Sequence, residues 1–582
     1  MKLPAPARRP APIPTLLIRA ATPTPALRDA VDSAVLARVL AARGVVDPAQ
    51  LQLDLERLID PALLDGAADA AELLEEILRA GAGICVVGDY DADGATSTTL
   101  AVHGLRAFGA ARVDFLVPDR VRDGYGLSEA LADRAAATGA RCLLTVDNGT
   151  SSIAGVARAR ALGMTVIVTD HHLPGAELPA ADAIVNPNLP GAQFPSRSLA
   201  GVGVMFYLLL ALRTRLRAND WFQARPLPNL ADYLDLVALG TIADVVPLDT
   251  NNRILVHQGL QRIRAGRARP GIAALLAIAR RDAEHLDEID VGFAVAPRLN
   301  AAGRLADMTV GVRCLLSDSA AEAARLAAAL DAINADRRTL SRDMIDHALT
   351  LLDDALLASP FGVCLFDATW HEGIVGIVAG RVREVAGVPS FAFAPAGSGQ
   401  DTTGPQLLRG SGRSIPGINL RDLLYGIDRQ HPGLLLRFGG HAMAAGVTLT
   451  PARLQPFRHA FSTAVNAALA GVLPTHVVES DGELSDAQLS IATARRIASL
   501  GPWGSAFPEP RFHGDFAVVH TRVLTDRFFR MALQRGDRLI EAVTNVPAPP
   551  RGSRIGAVYR LALNRYRGAE QLQLVVEQHW PA

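Results

Sequence analysis

Lysine is almost missing from this chain: Lys2 stands alone among basic residues that are otherwise arginine. Arginine presents a planar fork suited to bidentate phosphate recognition, but a bias shared with heavy alanine usage is better explained by composition. Cysteine is also scarce. Cys85, Cys142, Cys314 and Cys364 lie apart in apolar surroundings with no Cys-x-x-Cys pair. That excludes a disulfide framework or zinc knuckle and fits reduced thiols in a cytoplasmic protein. No apolar run is long enough to span a bilayer. The formal net charge is only -1, so any nucleic-acid site has to be a local patch. Aromatics are few, yet 49% of the residues are hydrophobic, which excludes a disordered chain.

The 582 residues exceed what one core serves and predict three or four units. The arginine-bearing, acid-poor start would suit a transit peptide, but Pro4, Pro6, Pro10, Pro12 and Pro14 break the helix such a peptide needs. A disordered leader is expected. From about Ala80 to Val246, short apolar runs alternate with alanine-rich helical segments. The runs Gly83–Gly88, Val113–Val117, Cys142–Val146, Thr165–Thr169 and Ala183–Asn186 predict a mostly parallel sheet covered on both faces, with ligands at its carboxyl edge. Ala320–Leu357 holds neither proline nor glycine and predicts one long connecting helix. A second α/β pattern follows Pro360, with a strand at Gly362–Phe366, a helix through Ile374–Val385 and a loop and strand turn within Gly397–Gly412. Beyond about Pro474, alternating segments at Phe516–Val519, Phe528–Gln534 and Arg554–Leu563 predict a small β-barrel or sandwich.

Four segments carry the chemistry, and each is expected to end an apolar strand. They are Val86 to Gly94 with Asp89, Asp91 and Asp93; Leu144 to Gly149 with Asp147; Ile167 to His172 with Asp170, His171 and His172; and Gly240 to Asp244. One acidic tip is ordinary, because Asp caps helices and starts turns. Four tips at one sheet edge are unfavourable unless cations neutralise them. Mostly oxygen ligands with one or two imidazoles suit two Mn²⁺ or Mg²⁺ ions better than zinc. The run Asp89-x-Asp91-x-Asp93-Gly94 imitates an EF-hand start, but Leu100 stands where that loop needs a bidentate Glu. There is no Gly-x-Ser-x-Gly elbow and no Walker A loop.

Asp170-His171-His172 after a strand, with Asp-x-Asp-x-Asp-Gly upstream, resembles the DHH phosphoesterases. Further motifs narrow the resemblance: Val117 to Arg120 with Gly124 to Ser128, Leu299 to Arg304, Trp370 to Arg381, and Gly439 to Gly446, which is similar to the signature of the DHHA1 domain. Together they resemble the bacterial RecJ single-strand-specific 5′→3′ exonucleases over roughly residues 80–580. The resemblance implies that Asp147 bridges two metals, that Asp93, His171 and Asp244 complete one, and that Asp91 and Asp89 serve the other. Asp89 would replace a histidine that many DHH enzymes carry at the position of Val87, and His172 would point at the scissile phosphate. Arg120, Arg304, Ser411, Arg413, Gly440 and His441 would face the substrate, with Arg304 and Arg413 suited to a terminal phosphate. Arg527 to Arg530, Tyr559-Arg560 and Tyr566-Arg567 interleave aromatics with arginines as oligonucleotide-binding barrels do. Ala506-Phe507 stands where the family usually has Gly-Asn.

The expected organisation is a leader with helices (1–79), a DHH catalytic domain (80–318), a connecting helix (319–358), a DHHA1 substrate-binding domain (359–472) and an OB-like nucleic-acid-binding barrel (473–582). The expected enzyme is a monomer that releases 5′ mononucleotides from single-stranded DNA in repair and recombination, alongside a single-strand-binding protein and a helicase. A DHH oligoribonuclease or cyclic-dinucleotide phosphodiesterase would lack the final β region, and a non-catalytic replication scaffold would have lost carboxylates that are kept here.

Overall fold

The computed structural model describes residues 14–120, 122–397, 407–473, 477–525, 528–566 and 569–582. The leader expected before Pro14 lies outside them, as do Arg527, Arg567 and much of Gly397–Gly412. After a short strand β1 (Thr15–Ile18), the first large unit holds β2 (Ile84–Val87), β3 (Val113–Leu116), β4 (Cys142–Val146), β5 (Thr165–Thr169) and β6 (Ala183–Val185). β2 and β4 are buried at every position, as apolar strands covered on both faces should be. All neighbours are parallel, in the order β3-β2-β4-β5-β6. The chain therefore leaves β2 in one direction and returns to its other side at β4. The crevice beyond the carboxyl ends of β2 and β4 is a topological switch point, where ligands bind in open α/β sheets.

Three helices of this unit shape that crevice: α1 (Ala92–Ala107), α2 (Gly201–Ala218) and α3 (Leu234–Ala243). The last corrects the sequence reading, because Asp244 follows a helix and not a strand. Residues 234–241 of α3 are all buried, so the helix is covered on all sides and shows no 3.6-residue period that would tell it from a strand. Helix α4 (Ala296–Leu305) carries Arg304 and precedes the long helix α5 (Ala320–Ala358). The first half of α5 buries Leu326, Ala327 and Leu330 in the core of the first unit, and its second half buries Met344, Ala348 and Leu352 in that of the next. At 39 residues it spans about 58 Å.

The next sheet has the order β10-β11-β9-β8-β7, built from β7 (Val363–Phe366), β8 (Ser390–Pro395), β9 (Leu408–Arg413), β10 (Arg437–Gly440) and β11 (Ala444–Leu449). Helix α6 (Val375–Ala386) lies after β7. Strand β12 (Val477–Ser480) pairs in parallel with β1. The chain ends in a closed barrel of β13 (Phe512–Thr525), β14 (Phe528–Arg535), β15 (Arg538–Thr544), β16 (Arg554–Tyr566) and β17 (Ala569–Pro581). Tyr559 is fully buried inside it, while Arg560 is tied to Glu509 and to Glu577 (2.8 Å). Strand alternation turns Tyr559 inward, so Tyr559-Arg560 does not form the base-stacking, phosphate-meeting pair expected of it. Phe528 stays half-exposed.

A buried ion pair ties the N-terminal helices to the region leading into the barrel. Arg43 donates to both oxygens of Asp481 at 2.8 and 2.9 Å, and each side chain is 1% exposed. The backbone N–H of Arg511 also donates to Asp481 Oδ2 (2.9 Å). Asp481→Ala leaves a buried guanidinium without its carboxylate and is expected to cost about 3–5 kcal/mol, read as a lower urea midpoint. Arg43→Met with Asp481→Leu should recover most of that loss.

Candidate metal centre and nucleic-acid interface

The Gly88 to Asp93 turn leaves β2 and starts α1, with Asp91 as its N-cap accepting from Gly94 N (3.0 Å). Asp93 sits two residues further, where the N–H groups of Gly201 (2.6 Å) and Val202 (3.0 Å) at the start of α2 donate to its carboxylate. A carboxylate at a helix N-terminus is held by the unpaired N–H groups and the helix dipole. Asp147 follows β4 with φ 62°, a left-handed conformation that few non-glycine residues adopt and that clusters at functional sites. Two glycines are required by close approach. A Cβ on Gly201 would lie 2.6 Å from Asp147 Oδ1, and one on Gly240 2.8 Å from Asp93 Oδ1.

His171 faces this group from the end of β5. Its Nε2 lies 3.1 Å from Asp147 Oδ1, 3.6 Å from Asp244 Oδ2 and 4.0 Å from Asp93 Oδ2. Donor atoms of three sets, Asp93/His171/Asp244, Asp89/Asp91/Asp147 and Asp147/His171/His172, lie within 4.8 Å of one another. Burial, and then its charged neighbours Asp93 and Asp91, push Asp147 well above the usual carboxylate range, and Asp244 is raised by the same causes. Burial and Asp91 raise Asp89 to about 8 and Asp93 to about 7. Burial, then the neighbouring His172, lowers His171 to about 3, so its imidazole is neutral.

These residues fit two divalent cations. Asp89 Oδ1, Asp147 Oδ1 and His171 Nε2 are buried without a hydrogen-bond partner, and Asp147 shares one donor set with Asp89 and another with His171. Lone pairs left bare beside mutually repelling carboxyls are what a cation satisfies. Asp170 does a different job. Its Oδ1 accepts from the backbone N–H of His171 (2.8 Å) and His172 (3.1 Å) and from His172 Nδ1 (2.7 Å), and its Oδ2 from Thr150 N (2.9 Å). Burial is the largest single influence and opposes its ionisation, but the His172 bond and charge, with His171 and Thr150, together outweigh it and lower Asp170 to about 2. Against its own burial, the same bond raises His172 to about 9.

The second unit closes over this site. The His441 ring stacks on His172 at 6.0 Å, and Gly440 ends β10 with φ 143°. Arg413 Nη1 donates to Ser411 Oγ (3.0 Å) on β9, and a Cβ on Gly376 in the first turn of α6 would lie 3.0 Å from both side chains. The N-cap position of α6, Ile374, makes no side-chain cap. Arg304 donates to the Gly373 carbonyl (3.2 Å) and Arg120 to the Gly303 carbonyl (3.1 Å). Burial, then Arg120 and Arg413, lowers Arg304 to about 10. Guanidiniums near one another, close to an uncapped helix N-terminus, are an arrangement suited to holding an anion. The sequence reading missed Tyr125, whose hydroxyl lies 2.9 Å from His172 Nδ1, and Tyr90, under Arg120 at 3.9 Å. Both stand inside motifs quoted above, but loop aromatics carry no periodic signal of what they touch.

A parallel sheet ending in this carboxylate–histidine cluster, faced by a second α/β unit, defines a DHH-type protein. The DHH family, N-terminal domain, matches residues 83–241, the DHHA1 domain residues 357–467 and the RecJ OB domain residues 480–578. The chain belongs to the RecJ family. It is 48% identical to the single-stranded-DNA-specific exonuclease RecJ of Escherichia coli (strain K12), over 94% of this chain and 96% of that protein. The Haemophilus influenzae protein of that name is 44% identical over 93% of this chain and 95% of its own length. A crystal structure of RecJ from Thermus thermophilus in complex with Mn²⁺ superposes with a TM-score of 0.79 at 31% identity, covering 98% of this chain and 79% of that one. A second, in complex with Mg²⁺, gives 0.72 at 30% identity over 97% and 78%. No helix among the described residues is long and apolar enough to cross a membrane.

Proposed function

We propose that the chain hydrolyses single-stranded DNA from its 5′ end and releases 5′ mononucleotides, acting as a cytoplasmic monomer in DNA repair and recombination. The observation that supports this best is the meeting of two sites: bare ligand atoms at the switch point and, across the His172–His441 stack, the arginine cluster. Asp147 would bridge two Mn²⁺ or Mg²⁺ ions, with Asp93, His171 and Asp244 on one side and Asp91 and Asp89 on the other. When bound, such a pair makes water a nucleophile at neutral pH and stabilises the leaving oxygen of an in-line displacement.

The chain's own residues do the rest. Ionised Asp170 accepts a hydrogen bond from His172 Nδ1–H, which leaves Nε2 to face the scissile phosphate. His172 Nε2 then donates to a phosphate oxygen as charge builds there. Arg120, Arg304 and Arg413, with Ser411, hold the terminal phosphate, and Gly440-His441 closes over the adjoining nucleotide. Because that grip precedes the cleaved bond, polarity follows from it. A single-strand-binding protein and a helicase would deliver the strand.

The deciding assay supplies Mn²⁺ and 5′-labelled single-stranded DNA to wild type and Asp147→Ala. Labelled mononucleotide from wild type alone supports the reading. Equal release by the variant, or preference for duplex ends or cyclic dinucleotides, would sink it. Arg413→Ala is expected to raise KM for 5′-phosphorylated strands about 10- to 100-fold, the worth of charge-assisted bonds to one phosphate. Strands with a 5′-hydroxyl should be far less affected.

A further inference from the structure

We propose that Tyr90 and Tyr125 are positioning residues that couple capture of the terminal phosphate to the orientation of His172; this rests on the reading of the chain as a 5′-end exonuclease. Four contacts form a continuous path between the two sites. The Arg120 guanidinium lies over the Tyr90 ring, 3.9 Å from its centroid. Tyr90 meets Tyr125 edge to face, with centroids 6.4 Å apart and planes at 72°. Tyr125 meets His172 in the same manner at 5.4 Å and 68°. Its hydroxyl oxygen lies 2.9 Å from His172 Nδ1, beside Asp170 Oδ1 at 2.7 Å from the same nitrogen.

The carboxylate of Asp170 can only accept, so the Nδ1 proton belongs to His172 and is shared with the Tyr125 oxygen. The Tyr125 proton is then free to point at the backbone carbonyl of Asp147, 3.5 Å away. Tyr125 thus touches both the bridging carboxylate's backbone and the substrate-facing histidine, and ligates neither cation.

The backbone around Tyr125 is a held turn that suits a positioning residue. Gly124 and Gly126 flank it with φ 77° and 78°, a turn that glycine permits. Asp119 N donates to Asp123 Oδ2 (2.9 Å), Arg122 N to Asp119 Oδ1 (2.8 Å) and Leu127 N to Ser152 Oγ (3.0 Å). Gly124 N also donates to the Asp119 carbonyl (3.2 Å), so the tyrosine is presented from a held turn. A phosphate between Arg120, Arg304 and Arg413 clamps Arg120 onto Tyr90. Tyr90 in turn fixes the face of Tyr125, and the Tyr125 hydroxyl fixes the plane of His172. A terminus without phosphate leaves that end of the path unclamped.

The test compares one strand with a 5′-phosphate or a 5′-hydroxyl, cleaved by wild type, Tyr125→Phe, Tyr90→Leu, Arg120→Ala and Arg120→Ala/Tyr125→Phe, with Mn²⁺ binding and circular dichroism verifying each fold. Tyr125→Phe is expected to lower kcat on the phosphorylated strand about tenfold with KM unchanged, in the range for residues that orient a site's ligands. The kcat ratio of the two strands should fall toward one, and Tyr90→Leu should act alike. Arg120→Ala should raise KM and lower kcat in wild type but only raise KM in Tyr125→Phe. Equal kcat loss on both strands, no loss on either, or a wild type indifferent to the phosphate would overturn the coupling. Failure of the parent reading is separate: wild type would then release no 5′ mononucleotide from either strand, and the coupling would fall with it.

Discussion

Asp147→Ala is expected to lose at least about 10³-fold in kcat, equivalent to about 4 kcal/mol of transition-state stabilisation. The size follows from where Asp147 stands. It shares one donor set with Asp89 and Asp91 and another with His171 and His172, so its removal opens both halves of the cluster. Its left-handed backbone and the close approach of Gly201 fix its carboxylate at that point. Calorimetry with Mn²⁺ should find two cations bound to wild type and at most one to the variant. Activity within tenfold of wild type at saturating Mn²⁺ would refute the bridging role.

The second large effect concerns pH and cation removal together. Asp89 at about 8 and Asp93 at about 7, with Asp147 and Asp244 higher than normal, hold protons more tightly folded than unfolded. For carboxyls raised in this direction, the stability they contribute is fully present below the unfolded value of about 4. It is lost as pH rises through 7 to 8. In chelator, wild type should therefore lose thermal stability as pH rises from about 5 to about 9. Asp147→Asn removes one charge without changing shape and should melt above wild type, by a margin that widens over the same range. Saturating Mn²⁺ should abolish the margin, because each cation at about 100 times its Kd adds about 2.7 kcal/mol to the form that binds it. Cation affinity should weaken as pH falls, since binding displaces those protons. A margin that stays flat with pH would refute the electrostatic account.

The parallel sheet was legible because its strands are short apolar runs, each closed by a turn or an acidic tip. Asp91, Asp93, Asp147 and His171 could be placed at its edge from that pattern alone. Asp244 could be named as a companion but not given its support, since a helix buried on every side carries no period. The proline- and glycine-free α5 was readable for the opposite reason. What sequence could not carry was contact between distant segments. The parallel pairing of Thr15–Ile18 with Val477–Ser480, the Arg43–Asp481 bond and the tyrosines between Arg120 and His172 are all of this kind. The Tyr559-Arg560 expectation failed because alternation along a strand does not say which face is the inside of a barrel.

The placement of Asp244 on α3 bears on how the protein is made. Asp89 leaves the ribosome early, but the shell cannot close until the chain has reached residue 244 and the buried helix has packed. The arginine of β9 and the His441 turn arrive later still. On the proposed assignment, the nascent chain therefore completes its metal ligands before the residues that would grip a strand terminus, and both before the barrel. On the reading proposed above, synthesis interrupted between Asp244 and Arg413 would leave a polypeptide with every proposed metal ligand but without the full set of residues proposed to seize an end.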